Sequence, residues 1–435
     1  MTARYIWSDL SAEARRAALQ RPAGASDPAV CGRVAEILAD VRERGAEAVA
    51  AWSLRLDGHA PRVVEIDDAA VEQARRAVAP EDLAALRVAG EAVRTFSDVD
   101  RPAPGAWVET APGARCRRVW RPIPVCGLYV PGGTAPLFST LLMLALPAQA
   151  AGVPERIVVT PPARNGSLHP MMVLAAWEAG VEQVHLVGGA QAVAALAFGA
   201  GLPRADKIFG PGNVWVAEAK RQAAALPGGP AVDLPAGPSE LMVIADGAAD
   251  PRLVAADLLS QAEHDRDAQV VLVALGDRVA DAVDAALADL LPRLPRAETA
   301  RVALASSRVI VCRDVGETLQ VADAYAPEHL SLHVEGASAL AERVSNAGTV
   351  FVGRWAAESF GDYLAGPSHV LPTGGAARAH GGVSTASFMK SFVVQEVSAD
   401  AAARWSAPAA RLARAEGLEA HALAADLRGV LGKAA

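Results

Sequence analysis

The chain has 435 residues, of which 52% are hydrophobic and 21% charged, and its formal net charge is −8. That length exceeds one simple core and predicts two or more domains. The acidic balance offers no clustered basic surface for nucleic acid, and the longest apolar run, 137–153, is interrupted by polar residues and shorter than the ~20 residues a bilayer demands.

The first nine residues contain no apolar signal core, which predicts a soluble, cytoplasmic protein. The first hundred residues are helical in pattern. Asp27-Pro28 has N-cap and N1 chemistry, and apolar positions then recur at helical spacing to about Leu56. After Asp100 the pattern switches to short β runs at 107–108 and 116–120, with Pro112-Gly113 as the turn. The arginines of 115–121 alternate with apolar residues, which reads as the solvated face of a strand. The four cysteines, Cys31, Cys116, Cys126 and Cys312, have neither metal-site spacing nor the density of a disulfide framework.

From Ile123 to about Ala231, β-branched runs at 156–160, 183–187 and 207–209 alternate with helix-forming segments. A second alternating series includes 239–245, 269–274, 308–312 and 349–352. Such alternation implies parallel strands with right-handed crossovers, hence two Rossmann-like sheets in an α/β chain. The last fifty-odd residues read as helices at 401–416 and 418–432 without a sheet of their own. Their apolar stripe must be covered by the body of the protein or by a partner.

Two stretches carry most of the chemistry, Gln261-Ala-Glu-His264 and Tyr325-Ala-Pro-Glu-His329. Asp250-Pro251 starts a helix that carries Gln261 and His264, three residues apart and therefore on one face. Taken alone, that pair reads first as an exposed helix end with a His favoured by the dipole. Glu328 and His329 lie between a helix and the strand 330–334, at a strand edge facing either a cleft or solvent. Glu358, Asp362 and His369 follow in glycine- and proline-shaped loops, and Glu416 and His421 lie at the break between the tail helices. His59, His169, His185, His333 and His380 have no such company and read as structural or surface residues.

No GxGxxG fingerprint is present. Three glycine loops at strand ends offer phosphate-binding geometry instead: Tyr129-Val-Pro-Gly-Gly133, Gly188-Gly-Ala-Gln191 and Gly210-Pro-Gly-Asn213. Each alone is equally an ordinary tight turn; three in one sheet favour a dinucleotide.

Nearly end to end, the chain resembles the histidinol dehydrogenase family. The resemblance runs through Val130-Pro-Gly-Gly-Thr-Ala-Pro-Leu-Phe-Ser-Thr140, Gly210-Pro-Gly-Asn213, Asp233-Leu-Pro-Ala-Gly-Pro-Ser-Glu240, Leu259-Ser-Gln-Ala-Glu-His264, Ala326-Pro-Glu-His-Leu330 and His369-Val-Leu-Pro-Thr-Gly-Gly375. It implies oxidation of L-histidinol to L-histidine with two NAD+, through bound L-histidinaldehyde, in a homodimer with one zinc per subunit. It implies zinc on Gln261, His264, Asp362 and His421, the last from the other subunit. Glu328 and His329 would move protons, and Tyr129, Gln191 and Asn213 would contact NAD+. Ser239, His329, Asp362, His369 and Glu416, with the metal ligands, would contact substrate.

The expected division is an N-terminal helical arm (1–23), a main α/β domain (24–128 with 237–378), an NAD-contacting domain (129–236), and a helical tail (379–435) that docks on the partner. Three departures from the family pattern stand out: Asp265-Arg266-Asp267 after His264, Ser368 before His369, and the stretch 376–384. Rival readings are a thiohemiacetal enzyme built on Cys126, a relative acting on another amino alcohol or diol, and a silent NAD- or metal-binding protein.

Overall fold

The computed structural model describes residues 3–21, 28–132, 136–235 and 237–434; the expected cap Asp27 and the loop residue Gly133 lie outside them. The chain forms two compact units, one from Met1–Asp100 with Ile123–Phe388, the other from Arg101–Pro122 with Met389–Ala435.

The larger unit contains two six-stranded sheets. In the first, the spatial order is Ala3–Ile6, Arg308–Cys312, Gln269–Leu275, Glu240–Ala245, His329–His333 and Thr349–Val352, all parallel. Five of these strands follow the 3-2-1-4-5 order of a Rossmann half, and the chain's first strand adds an edge. Every residue of Glu240–Ala245 is buried, as a parallel strand covered on both faces requires.

The second sheet has the order Arg62–Glu65, Gln183–Leu186, Glu155–Thr160, Val125–Tyr129, Lys207–Phe209 and Ala231–Val232. It repeats the 3-2-1-4-5 order, with Arg62–Glu65 added antiparallel at one edge. Two Rossmann-like parallel cores are therefore present, as the alternation predicted.

Three expectations need correction. The N-terminal arm is not wholly helical: Ala3–Ile6 is a strand paired with Arg308–Cys312, and the helix Ala12–Ala18 follows it. Four residues are too few to show a period.

The segment 28–100 does not belong with the first sheet. Its helices Pro28–Arg44 and Ala46–Asp57, separated at Gly45, bury Val34, Ile37, Val49 and Trp52 in one core with Val159, Val193 and Ile208 of the second sheet's layer. The strand Arg62–Glu65 completes that sheet's edge, so apolar contact assigned these residues where chain order misled.

The tail is not free of β structure. Met389–Val397 pairs antiparallel with Ala114–Pro122, which pairs in turn with Val108–Ala111 across the Pro112-Gly113 turn. This three-stranded sheet and the helices Ala399–Ala415 and Glu419–Ala434 make up the smaller unit. Among the described residues, no helix is long and apolar enough to cross a membrane.

Candidate active site

Glu328 immediately precedes the strand His329–His333 and His329 opens it, beside Ser239 and Glu240 at the start of Glu240–Ala245. The site thus sits at the amino-terminal edge of the first sheet, opposite to the carboxyl-end rule for open α/β sheets. A left-handed residue, Ala326 at φ 54°, ends the preceding helix Val315–Tyr325 and turns the chain sharply into Pro327-Glu328.

The backbone of Glu240 holds both members of the pair. Its amide donates to Glu328 Oε2 at 2.8 Å, and its carbonyl oxygen lies 3.0 Å from His329 Nδ1. A carbonyl only accepts, so Nδ1 carries the hydrogen and Nε2 keeps the lone pair. Burial pulls the His329 pKa down to about 4, against the attraction of Asp362. Burial also pushes the Glu328 carboxyl well above its usual range, the Glu240 amide opposing and the charges of Glu240 and Asp362 assisting. The pair is therefore a neutral imidazole beside a carboxyl of enhanced basicity, with the Phe351 ring stacked 5.9 Å from the imidazole.

The helix Pro251–Ala262, capped by Asp250, points its carboxyl end at the same edge. Asp257, Ser260, Gln261 and His264 follow helical spacing on one stripe. Gln261 is buried; its amide nitrogen lies 3.2 Å from His264 Nδ1, while its Oε1 has no hydrogen-bond partner among the described residues.

Asp362 lies on the helix Glu358–Tyr363, not in the loop its glycine neighbours suggested. Its backbone oxygen accepts from His369 Nδ1 at 3.0 Å, and His369 Nε2 accepts from Thr140 Oγ1 at 2.9 Å. Burial lowers the His369 pKa, against the pull of Asp362. Both His329 and His369 feel the charges of Asp362 and His264, so these four share one electrostatic neighbourhood.

Among the described residues, no three His, Cys, Asp or Glu side chains cluster tightly enough to cage a metal. The larger unit nonetheless gathers an amide oxygen, an imidazole and a carboxylate, and Gln261 Oε1 is a buried acceptor lacking a donor. That orphan oxygen and a thiolate-free donor set fit a borderline divalent cation with exchangeable positions. Glu416 caps the helix Ala399–Ala415, and His421 lies in the first turn of Glu419–Ala434; both are exposed and belong to the smaller unit.

The three glycine loops lie at the carboxyl ends of second-sheet strands, where that fold binds nucleotides. Tyr129 ends its strand, and its hydroxyl accepts from the Gly189 amide at 3.1 Å. Burial raises that hydroxyl's pKa to about 12, so it stays neutral. Gln191 is buried, donates to Asp57 at 2.9 Å and leaves Oε1 without a partner among the described residues. Asn213 caps the helix Val214–Ala225, accepting from Trp215 and Val216.

A buried ion pair stiffens the Gly210 loop. Asp233 pairs with Lys220 and accepts the Gly210 amide at 2.7 Å, while Lys220 donates to the Gly210 carbonyl at 2.9 Å. Gly210 has φ +115°, and a side chain there would overlap the Tyr129 carbonyl.

Several residues of this neighbourhood escaped the sequence reading. Glu240 lay within a quoted motif with no role given. Thr140 bonds His369 from the helix Phe138–Ala151, a partnership across 229 positions. Glu358, which the sequence placed in a glycine-shaped loop, instead opens the helix Glu358–Tyr363 as a buried carboxyl that accepts from Ser260 at 3.3 Å, and burial pushes it well above its usual range. The stripe through Asp257 was legible by helical spacing alone. Cys126, the rival nucleophile, is fully buried and its thiol is pushed up to about 12 by burial, the opposite of activation.

A family model described as histidinol dehydrogenase matches residues 20–429. Over 423 residues the chain is 47% identical to histidinol dehydrogenase of Xanthomonas oryzae pv. oryzae, covering 97% of this chain and 98% of that one. Against the enzyme of Shigella dysenteriae serotype 1 it is 43% identical over 427 residues, with 97% and 96% covered. The crystal structure of histidinol dehydrogenase from Elizabethkingia anophelis matches with a TM-score of 0.93 at 36% identity, covering 98% and 97% of the two chains.

Proposed function

The chain belongs to the histidinol dehydrogenase family of oxidoreductases, and from that premise we propose that it oxidises L-histidinol to L-histidine in two steps, using two NAD+, as a cytoplasmic zinc-dependent homodimer. The reading rests on one observation above all: the Glu240 backbone fixes His329 with Nε2 free and Glu328 beside it, at the edge that carries Gln261, His264 and Asp362.

Gln261, His264 and Asp362, with His421 of the partner subunit, would hold the zinc. When bound, the zinc would supply a Lewis-acid site for the substrate's imidazole, and NAD+ would supply the hydride acceptor. Ser239, His369 and Glu416 complete the substrate contacts, the Glu416 carboxylate suiting an ammonium group. Tyr129, Gln191 and Asn213 receive the dinucleotide at the second sheet's carboxyl edge.

In the first step His329 Nε2 takes the hydroxyl proton of the alcohol as the carbinol hydrogen leaves as hydride, giving an aldehyde. Neutral imidazole is the right state for that task, and burial keeps it neutral. Glu328 then takes a proton from water as the water oxygen adds to the aldehyde carbon, while the His329 imidazolium returns its proton to the aldehyde oxygen and becomes neutral again. The resulting gem-diol loses a second hydroxyl proton to His329 and a second hydride, leaving the carboxylic acid. A carboxyl with raised pKa is a stronger base toward water than an ordinary one. Thr140 and the Asp362 backbone hold His369 in one tautomer.

The test is NADH formation from L-histidinol by purified protein, before and after chelation and after zinc is restored. Two NADH per histidinol, lost on chelation and regained with zinc, is the expected result. One NADH with released aldehyde, or full activity in zinc-free protein, would overturn it.

A further inference from the structure

We infer that the ion pair between half-buried Arg21 and buried Glu240 is a positioning device that aims Glu328 and His329; the inference rests on reading those two as the proton-moving pair. Both hang on the backbone of one residue, Glu240, through its amide and its carbonyl. Rotation of that residue would move the two contacts together.

The Glu240 side chain is held by three hydrogen bonds from two residues. Arg21 grips both carboxylate oxygens, Nε on Oε1 and Nη2 on Oε2 at 2.8 Å, and the Gly374 amide donates to Oε1 at 2.9 Å. This is the bidentate fork that a guanidinium makes and an ammonium cannot.

Arg21 also holds the other end of the arrangement. Nη2 donates to the carbonyls of Tyr325 at 2.9 Å and Ala326 at 3.3 Å, and the guanidinium lies 3.9 Å over the Tyr325 ring. The Tyr325 hydroxyl is anchored on Gln269 at 2.7 Å. Ala326 is the left-handed residue that turns the chain toward Glu328. One arginine therefore spans the strand that presents the Glu240 backbone and the turn that presents the Glu328 side chain.

The remaining charges felt by the pair come from other elements: Asp362 and Glu358 on one helix, His264 at the end of another, and His369 in its loop. Arg21 bonds to none of these four. Loss of Arg21 would loosen the aim and leave a buried carboxylate uncompensated close to Glu328.

The experiment compares zinc-loaded full-length Arg21→Ala and Arg21→Lys with wild type, each also in a Glu328→Gln background, measuring kcat, KM and Tm. For aldehyde oxidation, Arg21→Ala is expected to lower kcat roughly 10- to 100-fold, with KM for substrate and NAD+ changed about twofold at most. Arg21→Lys, which keeps charge without the fork, should recover part of the loss and provides a folded comparison if the alanine variant is unstable. In the Glu328→Gln background the same change should cost clearly less than in wild type, because one of the two aimed groups is gone and His329 alone remains. Equal loss in both backgrounds, or a lowered Tm with kcat intact, would overturn the inference while leaving the proposed roles standing. Unimpaired aldehyde oxidation by Glu328→Gln alone would instead overturn those roles, and the inference with them.

Discussion

His333 lies 2.9 Å from the Asp257 carboxylate through Nε2, a buried contact joining the strand His329–His333 to the helix that carries Gln261 and His264. His333 is four residues beyond His329, and Asp257 four before Gln261, so the contact fixes the register of the two elements behind the site. Asp257→Leu strands a buried imidazole N–H and should cost roughly 3 kcal/mol of stability in urea unfolding. Asp257→Asn retains an acceptor and should cost about half as much. Equal midpoints for Asp257→Leu and wild type would show that the contact contributes nothing.

For His329 the sign of the pH effect follows from its depressed pKa. Between pH 6.5 and about 4 the unfolded chain binds a proton that the native site refuses, so stability falls as pH falls through that window. On lowering the pH from 7 to 5, wild type should lose about 2 kcal/mol more than His329→Asn. In NMR titrations the His329 ring should show no midpoint near 6.5. A midpoint there would mean that the ring is solvated.

His329→Asn is expected to slow both oxidations, roughly 100- to 10,000-fold. Glu328→Gln should spare alcohol oxidation and depress the aldehyde-to-acid step. Steady-state NADH formation with histidinol and with histidinaldehyde separates the two. Parallel losses for Glu328→Gln would remove the division of labour.

At the second sheet, Gly210→Ala should raise KM for NAD+ at least about tenfold while leaving KM for histidinol nearly unchanged. The substitution forces a side chain into the Tyr129 carbonyl at a left-handed position. A stability cost of about 1–3 kcal/mol should accompany it in thermal unfolding. An unaltered KM for NAD+ would separate this loop from the cofactor.

If the zinc site is shared between subunits, Asp362→Ala and His421→Ala proteins should each be inactive. Refolded together, they should regain about a quarter of wild-type activity, since half the dimers are mixed and each mixed dimer holds one intact site. Mixed dimers isolated by differential tagging and found inactive would rule out sharing.

Most of both sheets was legible in the sequence because buried parallel strands announce themselves as continuous β-branched runs. Gln269–Leu275 and Arg308–Cys312 are of this kind. Edge strands were not. Arg62–Glu65 has an exposed, mixed pattern that its short length cannot disambiguate, and it is defined by pairing with residues over a hundred positions away. Met389–Val397 was readable in principle, since Phe392, Val393, Val394 and Val397 are strong strand formers, but the helices after it dominated the reading.

At the site, Gln261, His264, Glu328 and His329 stood out because imidazole beside carboxylate or amide is chemically conspicuous. The residues that orient them did not. Glu240 acts through its peptide group, which any residue possesses, and Arg21 reaches it across 219 positions. Spacing rules are silent on contacts of that range.

The three-stranded sheet carries a cost in the order of synthesis. Its hairpin Val108–Ala111 with Ala114–Pro122 leaves the ribosome long before Met389–Val397 does, and a lone hairpin is marginal in water. At about 5–20 residues per second the wait is roughly a quarter of a minute to a minute. Throughout it, the middle strand offers one bare edge to any passing extended segment. Arg115, Arg117, Arg118 and Arg121 populate that edge, and their mutual repulsion between nascent copies would keep it vacant until the last strand arrives.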